Sequence, residues 1–298
     1  MAFASGRWPR HTAALFTAPC QGIAMSRTLS LALISLSLLA LSPASQAQST
    51  DAIQAAVASG HRTVANVARD PARRPVETLS FFGVLPTDTV VEISPGGGWY
   101  TEILAPLLRD KGVLYAAGPD PQSAQAGAQR AAARFKAKLD AIPGVYDKVK
   151  LSVFDVAGGK LDIAPAGSAD KVLTFRNVHN WMAMGDEAKT RAVFAAAFTA
   201  LKSGGVFGVV EHRLPANRVQ EPKAPSGYVH QAYVVKMAES VGFKLAAASE
   251  INANPRDTAD HENGVWALPP TFANRDKDRA KYAAIGESDR MTLRFVKP

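Results

Sequence analysis

Val90-Val91-Glu92-Ile93-Ser94-Pro95-Gly96-Gly97-Gly98-Trp99 is the stretch that decides how this chain folds. Val90 and Val91 read as the end of a buried parallel strand, bounded upstream by Pro86, Thr87 and Asp88. Three glycines then turn the chain, and Tyr100 to Arg109 carries Tyr100, Ile103, Leu104 and Leu107 at helical spacing. Strand, glycine turn and helix make a nucleotide-binding corner. Backbone without Cβ atoms lets a ligand come close, and the start of the helix offers unpaired N–H groups. An ordinary glycine-rich turn of an α/β protein would carry the same glycines. What sets this one apart is its acid.

The dinucleotide fingerprint runs glycine, any residue, glycine, two residues, glycine, and keeps its acid for the end of the second strand. Here Glu92 comes first and the glycines follow. That order resembles the first motif of class I S-adenosylmethionine-dependent methyltransferases, where an acid and then a glycine-rich loop cradle the methionine end of the cofactor. Ser94 stands where the first glycine of that pattern sits. The resemblance implies S-adenosyl-L-methionine as cofactor, with Glu92, Ser94, Gly96 and Gly98 around it.

Outward from this corner, strands and helices alternate, which argues for a parallel α/β sheet. Strands are expected at Gly112–Ala117, Val149–Phe154, Asp170–Phe175, Val206–Val210, Phe243–Ser249 and Met291–Val296. Helices are expected at Ala124–Leu139, Lys189–Lys202 (stopped by Ser203-Gly204-Gly205) and His230–Val241. The junction Leu201 to Val206, followed by a strand ending in Glu211-His212, is similar to the passage into the fifth strand of the same family. The likeness covers roughly residues 76–298 and is greatest to a group of exported methyltransferases. These carry a phrase like Phe175-Arg176-Asn177-Val178-His179-Asn180-Trp181. It implies a seven-stranded Rossmann-like methyltransferase sheet whose last strand runs antiparallel, preceded by a helical N-terminal arm. Asn252 to Asp289, with Pro255, Pro269 and Pro270, reads as a partly irregular excursion over the cofactor side.

The 298 residues, 47% hydrophobic and 20% charged, have a globular composition. Residues 1–24 have no periodic pattern and precede a second methionine, as an over-extended start would. From Met25 a basic flank at Arg27, the apolar run Leu29–Leu41 and the small-residue site Ser45-Gln46-Ala47 spell a secretory signal peptide, Met25–Ala47. The run is too short to span a bilayer, and Pro43 with the polar segment after it argues against a buried helix. The expected organisation is therefore 1–24 over-extended start, 25–47 signal peptide, 48–85 helical N-terminal arm and 86–298 methyltransferase-like domain. Export, to a periplasm, follows, with no stable membrane span once the signal is gone.

Within the arm, Ile53, Val57, Val64 and Val67 give weak amphipathic spacing, Arg69-Asp70-Pro71 breaks it, and Pro75 opens a helix over Val76–Phe82. It either packs over the cofactor mouth, as the resemblance implies, or leads in as a solvated segment. Cys20 lies ahead of the signal, so processing leaves no thiol. Loss of Arg7, Arg10 and Arg27 lowers the formal charge from +8 to +5. That is modest, and no basic run interleaves with aromatics, so nucleic acid is not expected as a partner.

Ligands of open α/β sheets lie beyond the carboxyl ends of the strands. After the second strand Asp120 is the candidate for the ribose hydroxyls, one or two residues from the place the family uses; otherwise it is a turn aspartate before Pro121. After the third, the resemblance gives Asp155 the adenine amino group and Val156 a backbone N–H; the alternative for Asp155 is a cap. After the fourth come Arg176 and Asn177 toward the cofactor, with Asn180 and Trp181 toward the substrate. His179 there is either a general base or a histidine tied to a neighbouring loop. His212, Tyr228 and His230 are further candidate substrate contacts. The spacing of His179, His212, His230 and His261 has no tight two-ligand motif, so no metal is expected. The leading expectation is methyl transfer to a small molecule or envelope component. The alternative is a non-enzymatic exported binding protein that retains a degenerate methyltransferase fold. A nicotinamide-dependent oxidoreductase is disfavoured by the acid preceding the glycines.

Overall fold

The computed structural model describes residues 43–184 and 186–298. The expected over-extended start and most of the signal peptide lie outside the described residues. Residues 43–47 of the signal are inside, where they open helix α1 (Pro43–Val57). The arm continues through α2 (Val64–Val67), α3 (Asp70–Arg73) and α4 (Pro75–Phe81). The core then runs β1 (Thr89–Ile93), α5 (Thr101–Leu108), β2 (Val113–Gly118), α6 (Ala126–Asp140), α7 (Pro143–Tyr146), β3 (Lys150–Val153) and β4 (Ala169–Phe175). After it come α8 (Val178–Ala183), α9 (Glu187–Ala200), β5 (Leu201–Leu214), β6 (Val229–His230), α10 (Gln231–Glu239), β7 (Lys244–Ser249), α11 (Arg279–Ile285) and β8 (Arg290–Val296). No helix among the described residues is long and apolar enough to cross a membrane.

Seven strands lie side by side in the order β3-β2-β1-β4-β5-β8-β7. β1 through β5 pair in parallel, and β8 inserts antiparallel between β5 and β7. This is the expected architecture; the eighth strand, β6, is a two-residue addition beside the end of β5. The chain reverses its order of strands between β1 and β4, and there the two neighbouring carboxyl ends leave a crevice.

The pleat decides which face each β1 side chain meets. Val91 and Ile93 join the core under α8, α9 and α10, with Trp181, Phe194 and Phe207. Val90 joins the opposite core, with Ile53, Leu79, Ile103 and Leu104 from the arm and α5. Glu92 shares the face of Val90, so its carboxyl is carried into apolar packing.

The arm is a packed layer. Glu102 of α5, 1% exposed, accepts from Thr63 N (3.2 Å), Thr63 Oγ1 (2.6 Å) and Lys138 Nζ (2.6 Å). Trp99 Nε1 donates to Asn66 O at 2.9 Å. Asp70 and Pro71, expected to break a helix, instead open α3, with the proline in its first turn.

Two differences from the sequence expectation matter for the site's surroundings. Helix α9 stops at Ala200 and β5 begins at once, because Leu201 pairs with Ala169 and is fully buried. Ser203-Gly204-Gly205 is therefore strand, with Gly204 at φ 78° beside a register shift, and not a helix stop. The phrase after β4 is a helix, α8, burying Val178, His179, Trp181 and Met182. The excursion before β8 is irregular apart from a 3₁₀ turn at Gly264–Ala267 and α11.

Candidate ligand site at the strand crossover

Glu92 stands at the crevice, 2% exposed, and among the described residues its one side-chain hydrogen bond comes from Thr101 Oγ1 at 2.6 Å. Burial pushes its carboxyl up to about 7, against the Thr101 bond and the charges of Arg176 and Lys138. A carboxyl in that state favours either a proton or a cationic ligand group.

The loop after β1 turns on left-handed residues: Ser94 at φ 54°, Gly96 at 60° and Gly98 at 78°. Ser94 thus takes a left-handed conformation at a strain a glycine would not carry. A Cβ built on Gly96 would meet nothing within 4 Å, so the loop faces open space. Asn177 braces it: its Nδ2 donates to Ile93 O (3.2 Å), Ser94 O (3.4 Å) and Thr174 Oγ1 (3.1 Å).

Two cavities flank Asn177. The first, about 290 Å³, is lined by Ser94, Pro95, Gly96, Pro119, Phe154, Asp155, Val156, Asn180, Trp181 and Met184. Its apolar walls with one carboxylate suit a flat heteroaromatic base. Asp155 and Val156, expected toward the cofactor, and Asn180 and Trp181, expected toward the substrate, line this one cavity together, Asp155 Oδ1 also accepting from Gly158 N at 2.9 Å and Trp181 standing as a buried wall against Phe154 at 5.8 Å. The second, about 240 Å³, is lined by Glu92, the loop, Trp99, Tyr100, Arg176, and Asn66, Arg69 and Arg73 of the arm. Tyr100 stacks on Phe175 in its wall. A larger cavity of about 540 Å³ adjoins the first between α6 and β3, but Lys136 is the sole ionisable side chain lining it.

Asp120 lines neither cavity of the crevice. Its Oδ2 accepts from Lys160 Nζ at 2.6 Å and its Oδ1 from Gln122 N at 2.8 Å, so the residue serves as a turn aspartate. The Lys160 bond, with that of Gln122, holds its pKa down.

His179 also points away from both cavities. Its Nδ1 lies 3.0 Å from Glu211 Oε1, and its ring meets those of His212 (5.3 Å) and Trp266 (6.0 Å). Glu211 further accepts from Val178 N (2.5 Å), His179 N (3.3 Å) and His212 N (2.7 Å). His212 Nδ1 meets Ser288 Oγ at 2.5 Å, and burial with the His179 charge keeps this imidazole well below its usual pKa. Tyr228 donates to Asp257 at 3.0 Å, and His230 Nε2 meets Pro215 O at 3.2 Å. His212 and Tyr228, with rings 6.2 Å apart, thus belong to a second cluster under the excursion, and His230 is tied instead to the segment after β5. Residue spacing gave no reason to expect a metal, yet two of the four histidines do come together. Ligand-type atoms of His179, Glu211 and His212 lie within 4.8 Å of one another, a convergence built from two strand ends that residue spacing could not reveal. The protein N–H groups already occupy the Glu211 oxygens, which accounts for the cluster by hydrogen bonding alone.

Sequence reasoning missed Arg69, Arg73 and Asn66. The basic run of the arm, Arg69 and then Arg73-Arg74, was the available signal.

No family model matches this chain, and no curated protein does. Among solved structures it is similar to a SAM-dependent methyltransferase from Aquifex aeolicus, 13% identical, TM-score 0.50, covering 78% of this chain and 93% of that one. It is similar also to geranyl diphosphate C-methyltransferase from Streptomyces coelicolor A3(2), solved with Mg2+, geranyl diphosphate and S-adenosyl-L-homocysteine, 12% identical, TM-score 0.51, covering 82% and 88%. The [4+2]-cyclase SpnF matches at 14% identity and TM-score 0.51, covering 86% and 95%. The chain thus has the Rossmann-like methyltransferase fold.

Proposed function

We propose that the protein is an exported S-adenosylmethionine-dependent methyltransferase acting on a small molecule or an envelope component. The observation that carries this reading is Glu92: a buried carboxyl at the crossover, raised to about 7, with a glycine loop open beside it. An α-ammonium group is the ligand chemistry that such an acid favours. The fit extends to the first cavity, where Asp155 and the walls of Phe154, Val156 and Trp181 suit an adenine. The solved neighbour with bound S-adenosyl-L-homocysteine supports the same cofactor class.

When bound, the cofactor supplies a methyl group on a sulfonium: the C–S bond breaks as a bond to the acceptor forms, leaving a thioether. The chain's residues then have positioning work. Glu92 holds the ammonium, Asn177 fixes the loop, and Trp181 shapes the base pocket. Holding reactants in line supplies up to ~7–11 kcal/mol of barrier lowering, so a dedicated base is needed only for an acceptor that must shed a proton. The placement of His179 outside both cavities is compatible with that.

A second reading is a binding protein on a degenerate methyltransferase fold. The commitment of Asp120 to Lys160 favours it, since the ribose loses its expected acid. The cyclase among the neighbours is a reminder that fold alone does not fix activity.

Calorimetry with S-adenosylmethionine, S-adenosylhomocysteine and NAD separates the readings. Binding of the two sulfur ligands, lost in Glu92→Ala and in Gly96→Val, is expected. No binding of either at about 1 mM, a bare ~4 kcal/mol of affinity, would favour the binding protein, and NAD binding alone would favour an oxidoreductase.

A further inference from the structure

The second cavity carries more positive charge than the proposed cofactor needs. Arg176 projects into it from a backbone held at φ 62°, and its side chain has no hydrogen bond or ion pair among the described residues. Arg73, 3% exposed at its side chain, and Arg69 line the same cavity. Behind them lies Arg290, fully buried, with a further guanidinium charge.

One carboxylate, Glu287, pairs directly with three of these and reaches Arg176 through its charge alone. Glu287 accepts from Arg69 Nε (2.6 Å), Arg73 Nε (3.4 Å) and Arg290 (3.1 Å). Burial opposes its ionisation, but the Arg69 bond and the charges of Arg73 and Arg290 hold it down to about 2. It is therefore a full anion facing four cations. The acid lining the cavity itself is Glu92, whose carboxyl burial pushes up to about 7. Burial, then the charge of Arg176, presses the Arg73 guanidinium below its ordinary pKa, the sign of a cation short of counter-charge.

An amino-acid end in this cavity would change little. Its ammonium would pair with Glu92 and its carboxylate with one guanidinium, leaving at least one more unmatched. Arg forks are built for oxyanions, which they hold bidentately. Strain at a non-glycine left-handed residue persists only where the surroundings enforce it, and here it delivers a guanidinium into the cavity.

We propose that this cavity is an oxyanion site centred on Arg176, Arg73 and Arg69, and that it receives a phosphate or carboxylate group of the methyl acceptor. The assignment to an acceptor rests on the methyltransferase reading; the oxyanion site itself does not.

The test is calorimetry of the full chain with inorganic phosphate, alone and after saturation with S-adenosylhomocysteine. The variants are Arg176→Gly, which suits the positive φ and so preserves the fold, and Arg176→Lys, which keeps a charge. Submillimolar phosphate binding is expected in both forms of the wild type. It should weaken by about tenfold or more in Arg176→Gly, the worth of one charge-assisted bond, and by less in Arg176→Lys. Affinity for S-adenosylhomocysteine should fall by less in Arg176→Gly than the affinity for phosphate does, since that ligand also has Glu92 and the base pocket to hold it. Phosphate binding that is absent, or unaffected by Arg176→Gly, overturns the site. Phosphate displaced by S-adenosylhomocysteine, with Arg176→Gly weakening that ligand about tenfold, gives the cavity to the ligand's own carboxylate and overturns the acceptor assignment. Phosphate binding that depends on Arg176 in a protein blind to S-adenosylhomocysteine would uphold the oxyanion site while the methyltransferase reading falls.

Discussion

Glu92 and Ser94 are two residues apart and carry opposite kinds of cost. The Glu92 carboxyl is raised from 4.5 to about 7, so the folded chain binds a proton that the unfolded chain has released between those values. Stability from this group is thus fully present below about 4.5 and lost as pH rises through about 7. At ~1.4 kcal/mol per unit the loss approaches ~3 kcal/mol. In urea melts, wild type minus Glu92→Gln should show that decline between the two values, and a flat difference would contradict the buried-acid account. Ligand affinity should move the other way. An ammonium needs the ionised carboxylate, so S-adenosylhomocysteine should bind more weakly as pH drops below 7, with the dependence abolished in Glu92→Gln. Ser94 bears conformational strain, at φ 54°. Ser94→Gly should therefore unfold no earlier than wild type, whereas the β-branched Ser94→Val should cost about 2 kcal/mol or more. A Ser94→Val protein of unchanged stability would mean that the loop relaxes out of the left-handed region.

The arm and α5 form one mechanical element, joined at Glu102. Its carboxylate takes three donors in near-complete burial. Glu102→Ala leaves Thr63 N and Oγ1 without their acceptor and is expected to cost about 2–3 kcal/mol. It should also expose residues 58–64 to proteolysis ahead of global unfolding, and simultaneous digestion of arm and sheet would argue against a separable arm. Elements whose sequence has one clear period were legible: β1, α5 and the order of later strands followed from apolar runs and glycine punctuation. The α9–β5 boundary was not, because Leu201 obeys its distant pairing partner Ala169 in preference to the local glycine signal. The site divided in the same way. Glu92, Gly96, Asp155 and Trp181 follow their strand ends and could be read from order alone. The arginine cluster joins residues 69, 73 and 290 around Glu287 and brings 69 and 73 to one cavity with 176, and such proximity exists only after folding. Asp120 misled because a lysine from beyond β3 captures it, a competition invisible to spacing.

At the scale of the whole chain the remaining question is where it works. The proposed export signal ends at Ala47, and α1 runs through that point, from Pro43 to Val57. Two residues past the expected cut, Ser49 is buried and donates to Val84 O at 2.7 Å; Ile53 and Ala56 follow into the core. A helix of this kind owes its stability to the apolar face it packs, more than to the propensity of its first turn. Starting it at Gln48 therefore spares the contacts from Ser49 onward. The cut also removes Cys20 and lowers the formal charge to +5. Protein recovered from a periplasmic fraction should accordingly read Gln48-Ser49-Thr50 on N-terminal sequencing and show no reactive thiol after denaturation. Its thermal midpoint should match that of a chain beginning at Met25 to within a few degrees, which is about 1 kcal/mol for a protein of this length. An intact Met25 on a cytosolic protein would remove the export proposal. A large stability loss on trimming to Gln48 would instead make residues 43–47 part of the folded domain and move the boundary between signal and arm upstream.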